Sequence, residues 1–168
     1  MVLYVLRHGL AFDRSEWLHG KDRDRPLTKE GERKTRQIAT AMREMGLRFD
    51  WILSSPYVRA RDTAQIVAEA LHARKRLELR DELTPLANPE KLTHLLASEQ
   101  KSVESVLVVG HEPFLSRFIS VLLTGRPIPR VRLKKGGLCK LEISGIRYGP
   151  CAILEWLLTT WQLTRLKD

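Results

Sequence analysis

Cysteine is nearly absent from this sequence: among 168 residues only Cys139 and Cys151 carry thiols. Two thiols cannot build a disulfide framework or a zinc site on their own, so they are expected to be free and buried. Long apolar runs are missing as well. The longest charge-free stretch near the C-terminus, Trp156 to Thr164, has nine residues, whereas a membrane-spanning helix takes about 20. The apolar start Met1–Leu6 lacks a basic leader and a cleavage site and is interrupted by Arg7. No secretory signal is therefore expected, and the cytoplasm is the default location. Aromatic residues make up only 7% of the chain, with no basic-aromatic interleaving of the kind that stacks nucleic-acid bases. Glycine and proline total 18, from 10 and 8, which excludes a collagen-like or low-complexity chain.

What is present suits one globular domain spanning residues 1–168. Hydrophobic residues are 43% and charged residues 29%, enough to bury a core without forming a disordered polyelectrolyte. The formal charge is +9 and it is unevenly placed. Between Arg126 and Arg147 lie Arg126, Arg130, Arg132, Lys134, Lys135, Lys140 and Arg147 against the single acid Glu142, so this segment holds +6 of the +9. A basic surface of this kind favours an anionic partner, and it equally describes a solvated basic loop.

Apolar periodicity places the elements. Residues 2–6 form a buried strand that stops at Arg7-His8-Gly9. Residues 10–27 are polar and irregular and read as a mobile loop. Thr28 offers an N-cap to a helix carrying Ile38, Ala41, Met42 and Met45, which Gly46 stops. Trp51-Ile52-Leu53 is a second buried strand ending at Ser54-Ser55-Pro56, and the helix after it presents Ala60, Ala64, Val67, Ala68 and Leu71 on one face. Leu77–Leu79 reads as a short edge strand, and Asn88-Pro89 opens a helix through Leu92, Leu95 and Leu96. Val106–Val109 is a third buried strand running into Gly110-His111-Glu112-Pro113, followed by a helix from Phe114 that Gly125 closes. Residues 138–143 and 151–158 read as a hairpin. Alternating strands and helices ending in a hairpin predict a single-domain, three-layer α/β/α sandwich. Its central sheet is largely parallel, with a C-terminal antiparallel hairpin.

The chemistry is expected where the three buried strands end. Ligands of open α/β sheets bind at the carboxyl ends of strands, and those ends carry Arg7-His8, Arg59 and His111. Two arginines and two histidines suit a tetrahedral oxyanion. Arginine matches phosphate oxygens with a planar fork that stays charged. A neutral histidine offers a ring nitrogen that can attack phosphorus, and a second, protonated histidine can stabilise the equatorial oxygens. Helices starting after Pro56 and Pro113 would aim their N-termini at the same anion. No acidic cluster with metal-ligand spacing appears, so no metal is expected. His19, His72 and His94 lack such a setting and are expected to serve surface or packing roles.

Leu6-Arg7-His8-Gly9, Ser55-Pro56-x-x-Arg59-Ala60-x-x-Thr63-Ala64 and Val109-Gly110-His111-Glu112-Pro113 together resemble the ordered signature of the histidine phosphatase superfamily, the phosphoglycerate mutase-like group. The length, the Arg25-Pro26-Leu27-Thr28-x-x-Gly31 segment and Glu82-Leu83-Thr84-Pro85 are similar to its short bacterial SixA-type phosphohistidine phosphatases. The resemblance implies that His8 becomes phosphorylated, that Arg7, Arg59 and His111 bind phosphate, and that no metal or organic cofactor takes part. Glu82 falls where larger members carry a proton-donating glutamate, with Asp13 and Glu112 as weaker candidates. In place of the hydroxyl and Asn pattern that larger members carry after Arg-His-Gly stands Leu10-Ala11-Phe12-Asp13. With only 51 residues between Arg59 and His111, their substrate-covering insertion is missing too. That argues against a mutase and for an open site admitting a phosphorylated protein, as in a phosphorelay or phosphotransfer system. A small phosphate monoester, such as a sugar or nucleotide phosphate, is the alternative substrate. An anion- or nucleic-acid-binding module without catalysis is a third reading, motivated by the net charge alone; neither nucleic acid nor membrane is expected as a partner.

Overall fold

In the computed structural model, which describes residues 1–18, 20–99 and 102–165, the apolar runs become six strands. These are β1 (Val2–Arg7), β2 (Trp51–Ser54), β3 (Leu77–Leu79), β4 (Ser105–Gly110), β5 (Leu138–Ile143) and β6 (Ala152–Leu158). They form one sheet in the order β3-β2-β4-β1-β5-β6. The first four of that order run parallel, and β5 and β6 add an antiparallel edge. The helices are α1 (Lys29–Glu44), α2 (Val58–Ala70), α3 (Pro89–Glu99), α4 (Phe114–Thr124) and a short α5 (Thr160–Leu163).

Successive side chains of a strand point to opposite faces, and here each face finds its own helices. Leu3, Val5, Leu53, Val106 and Val108 pack with Leu92 and Leu96 of α3 and with Phe114, Phe118 and Leu122 of α4. Tyr4, Leu6, Ile52, Leu107 and Val109 pack with Ile38 and Met42 of α1, Ala60, Ala64 and Val67 of α2, and Leu163 of α5. The expected three-layer α/β/α sandwich is the observed one. Among the described residues no helix is long and apolar enough to cross a membrane.

The expected punctuation holds at most element ends. The Thr28 side chain accepts from Gly31 N, Asn88 Oδ1 accepts from Glu90 N, and Gly46 and Gly125 take positive φ angles of 70° and 76°. Met45 departs from the expected buried stripe: it is the C-cap residue of α1 and is 36% exposed. Cys139 and Cys151 are free and buried, and burial pushes the Cys139 thiol up to about 12. Residues 10–27 are more structured than their composition suggests. Ala11 bridges Leu27, a 3-10 turn spans Asp22–Asp24, and Arg25 holds the Asp22 carboxylate through Nη2 at 2.9 Å. The Ala11–Leu27 bridge joins residues 16 positions apart, and none of these ties follows an apolar period, so local periodicity carries no trace of them.

Candidate active site

The register of the sheet sets the three predicted segments side by side. Leu6 pairs with Val109 and Arg7 with Gly110 across β1 and β4, while Ser54 pairs with Val109 across β2 and β4. The residues after these pairs, His8, Ser55 and His111, therefore emerge together at the carboxyl edge. Backbone bonds continue past the strands, from His8 N to Gly110 O at 3.1 Å and from Ser55 N to Val109 O at 3.0 Å.

Two glycines let the chain close around His8. A Cβ on Gly9 would stand 2.4 Å from Thr35 Oγ1, and one on Gly31 would stand 1.8 Å from the Leu10 carbonyl oxygen. Thr28 N donates to that same Leu10 oxygen at 3.0 Å. The Arg7-His8-Gly9 turn and the first turn of α1 are thus interlocked. Thr63 of α2 joins them by accepting from Gly9 N at 3.0 Å while donating to Arg59 O at 2.7 Å.

His8 is 5% exposed, and its two ring nitrogens have different partners. Nδ1 lies 2.7 Å from Gly9 O, and since a carbonyl only accepts, Nδ1 carries the proton. Nε2 then holds the lone pair, and Arg59 Nε donates to it at 3.3 Å. Burial first, then the neighbouring His111 and the arginines Arg59 and Arg7, push the His8 pKa well below the ordinary histidine value, against the opposing Gly9 bond. At neutral pH His8 is an uncharged imidazole with a defined tautomer.

His111, 1% exposed, stands with its ring centroid 5.1 Å from that of His8. Its Nε2 shares a hydrogen bond with Ser55 Oγ at 2.8 Å, and its Nδ1 is buried with no partner among the described residues. Burial, followed by Arg59, Arg25 and Arg7, lowers its pKa to about 3. The expected protonated second histidine is therefore neutral here, because its ring is buried and three guanidinium groups stand in its surroundings.

Arg59, on the first turn of α2, is 3% exposed. Besides His8 it reaches Asp22, through Nη1 to the backbone oxygen at 2.7 Å and Nη2 to Oδ2 at 3.1 Å. Burial pushes the Asp22 carboxyl up, but Arg59 and Arg25 outweigh it and hold the group below its ordinary value. Asp22 is the participant that sequence reasoning missed. Arg7 donates through Nη1 to Leu133 O at 2.9 Å, and its buried Nε has no partner among the described residues. The other side of Leu133 is held by Glu112, whose Oε1 accepts from Leu133 N at 3.3 Å and from Ser116 Oγ at 2.6 Å.

The structure thus brings Arg7, His8, Arg59 and His111 together, and Glu112 holds Leu133, the residue that accepts from Arg7. Glu82 lies in a 3-10 turn, Asp81–Leu83, whose Leu83 is buried, with the Leu83 carbonyl 3.2 Å from where a Gly110 Cβ would be. Its half-buried side chain makes no hydrogen bond or ion pair with the four residues among the described ones. Asp13 is exposed, 3.7 Å from Lys135. His72 and His94 are exposed, His94 lying 3.9 Å from Glu90, and His19 falls outside the described residues. No group of three or more His, Cys, Asp or Glu side chains that could hold a metal ion occurs among the described residues.

Residues 3–87 match the family model described as the histidine phosphatase superfamily (branch 1). The chain is 30% identical over 147 residues to the phosphohistidine phosphatase SixA of Escherichia coli, covering 86% of this chain and 88% of that protein. A solved structure of the protein histidine phosphatase SixA complexed with tungstate superposes with a TM-score of 0.84 at 24% identity, covering 97% of this chain and 99% of that one. A structure of a putative alpha-ribazole-5'-P phosphatase from Escherichia coli has the same fold, with a TM-score of 0.75 at 22% identity over 95% of this chain and 97% of that one.

Proposed function

The chain belongs to the histidine phosphatase superfamily and is a phosphatase, and we propose that it removes phosphate from phosphohistidine in a protein through a covalent intermediate on His8. The observation that carries this reading is the His8 ring itself. A neutral imidazole whose Nδ1 is tied to Gly9 O presents the Nε2 lone pair among arginines, and an imidazole nitrogen in that state is a competent nucleophile for phosphorus. In this reading the whole chain, residues 1–168, acts as one cytoplasmic catalytic domain on a phosphorylated protein of a phosphorelay or phosphotransfer system.

The reaction is two displacements. His8 Nε2 attacks phosphorus, the new N–P bond forms as the substrate's N–P bond breaks, and imidazole departs. Water then attacks the phosphoenzyme, releasing inorganic phosphate and restoring His8. Arg59 is already hydrogen-bonded to Nε2 and Arg7 keeps an unpaired Nε, so both assist by donating to the equatorial oxygens. Tyr57 N donates to Ser55 Oγ, which can give its own hydrogen to His111 Nε2. In that tautomer His111 carries its proton on the unpartnered Nδ1, as a neutral donor to the phosphoryl group.

The leaving group decides how much acid help is needed. A substrate histidine has a second ring nitrogen that titrates near neutrality, with a reference pKa of about 6.5, so it departs as neutral imidazole without a protein acid. That agrees with Glu82 making no hydrogen bond or ion pair with the pocket among the described residues. A small phosphate ester is the second reading. The fold also carries the alpha-ribazole-type phosphatase, and an alkoxide leaving group would draw on Glu82 at the carboxyl edge of the sheet.

Steady-state hydrolysis of a phosphohistidine peptide beside p-nitrophenyl phosphate, without added metal, separates the two. Faster turnover of the peptide, lost in His8→Ala, is the expected result. Turnover of the ester alone would transfer the site to small monoesters, and full activity in His8→Ala would refute covalent catalysis.

A further inference from the structure

Beside the phosphate pocket runs a cleft of about 630 Å³ that reaches from Arg7 and Glu112 along Ser116 to Arg130 and Arg132. Of the four pocket residues only Arg7 lines it. Its outer wall is the segment between α4 and β5, which climbs α4 toward the carboxyl edge of the sheet. Arg130 N donates to Ser120 Oγ at 3.1 Å, and Leu133 N donates to the Glu112 carboxylate that also holds Ser116, one turn earlier. At its far end the segment joins the catalytic strand, with Gly136 N donating to Arg7 O and His8 O, both at 3.1 Å.

Burial alternates along this wall. Val131 packs against the core and Leu133 is fully buried, while Arg130, Arg132 and Lys134 are exposed. Alternation of this kind places the three cations on the side of the chain away from the core. Among the described residues no hydrogen bond or ion pair engages their side chains. The Arg126–Arg147 segment holds +6 of the chain's +9, yet among the described residues Lys135 alone of its cations forms an ion pair, with Asp13.

We propose that Arg130, Arg132 and Lys134 form a docking rail for carboxylates on the protein surface that flanks the phosphorylated histidine. The proposal rests on the functional reading above and names what confers its substrate preference. A second phosphate of a small molecule would want donors that converge on one point. Cations spread along the wall at alternate residues instead match carboxylates distributed over a protein surface. Nucleic acid is disfavoured because no aromatic side chain interleaves with these cations. The wall is anchored through Leu133 to Arg7, so a partner seated on it is held in register with the pocket.

Two phosphohistidine peptides of equal length, one flanked by Asp and Glu and the other by Asn and Gln, test this directly. Exposed ion pairs are individually weak, so two of them give a preference of about five- to tenfold in kcat/KM at low salt, expressed mainly in KM. R130A/R132A should erase that preference, as should about 0.5 M salt, while turnover of free phosphoramidate stays unchanged. Anisotropy of the same peptides without phosphate provides the second measurement. The acidic one should bind wild type more tightly than the neutral one and lose that advantage in R130A/R132A. If neither phosphopeptide is hydrolysed, the functional reading fails, and the binding measurement still decides the rail. Equal binding and equal kcat/KM for the two peptides would overturn the proposal. So would a loss in R130A/R132A confined to a small bisphosphate or to single-stranded DNA.

Discussion

Arg59 divides its guanidinium between the nucleophile and a loop: Nε donates to His8 Nε2, while both terminal nitrogens rest on Asp22. An incoming dianion must share Arg59 with a carboxylate, so Asp22 both orients the guanidinium and opposes the phosphate. Asp22→Asn keeps the shape and removes the charge. One exposed-side charge is worth about 1 kcal/mol, or roughly fivefold in an equilibrium constant. Competitive inhibition by inorganic phosphate should therefore tighten about fivefold in the variant, with kcat changed less than threefold. Unchanged inhibition with a large fall in kcat would make Asp22 a positioning residue only. The four pocket residues were legible because each follows an apolar strand or a proline turn, in one chain order. Asp22 was not, since Asp13, Asp22 and Asp24 look alike in a mixed-charge stretch, and the tie that brings one of them to the pocket comes from Arg59, 37 positions away. The charge of His111 was equally hidden, being set first by burial and then by three arginines, all brought about by the fold.

Elements were readable where their signals are local and unreadable where their order is borrowed. Strand cores, the Thr28 and Asn88 caps and the glycine stops all declare themselves within a few residues. The structure of residues 10–27 and of the wall between α4 and β5 comes from distant partners, Arg59 for the first and Arg7 and Glu112 for the second. Gly31 shows how tightly such borrowed order packs. Gly31→Ala drives a methyl to 1.8 Å from the Leu10 carbonyl oxygen, one residue past Gly9. Overpacking against backbone costs about 3 kcal/mol and displaces the turn that holds His8. Gly46→Ala is the matched control: it has a φ of +70° with nothing within 4 Å of the new methyl, so only the left-handed conformation is penalised, by about 1 kcal/mol. Urea unfolding should give these two losses in that order, with kcat falling only in Gly31→Ala. A loss in Gly31→Ala no larger than in Gly46→Ala would mean that α1 moves away from Leu10 at little cost.

Over the whole molecule, strand adjacency was the hidden quantity. A sequence can say that three strands end in functional residues, but their pairing as β2-β4-β1 is what sets His8 beside His111, ring centroids 5.1 Å apart. That assembly makes global stability depend on acid. Both histidines are buried and held neutral, His8 well below its ordinary value and His111 at about 3, whereas in the unfolded chain each titrates near about 6.5. Below that value the unfolded state takes up protons that the folded state refuses, so stability falls as pH falls. Each histidine contributes a slope of up to about 1.4 kcal/mol per pH unit, or about 2 kcal/mol at pH 5. Asp22 acts in a lower window. Its folded pKa is depressed, so its contribution is present above the ordinary aspartate value of about 3.9 and fades only beneath it. Between pH 7 and 5 the histidines therefore dominate, and urea unfolding should show wild type losing about 3 to 4 kcal/mol over that interval. H8N/H111N replaces both rings by side chains that do not titrate, and it should lose less than half as much. An undiminished slope in the double variant would place the acid sensitivity elsewhere and would mean that the pocket histidines already carry protons in the native protein.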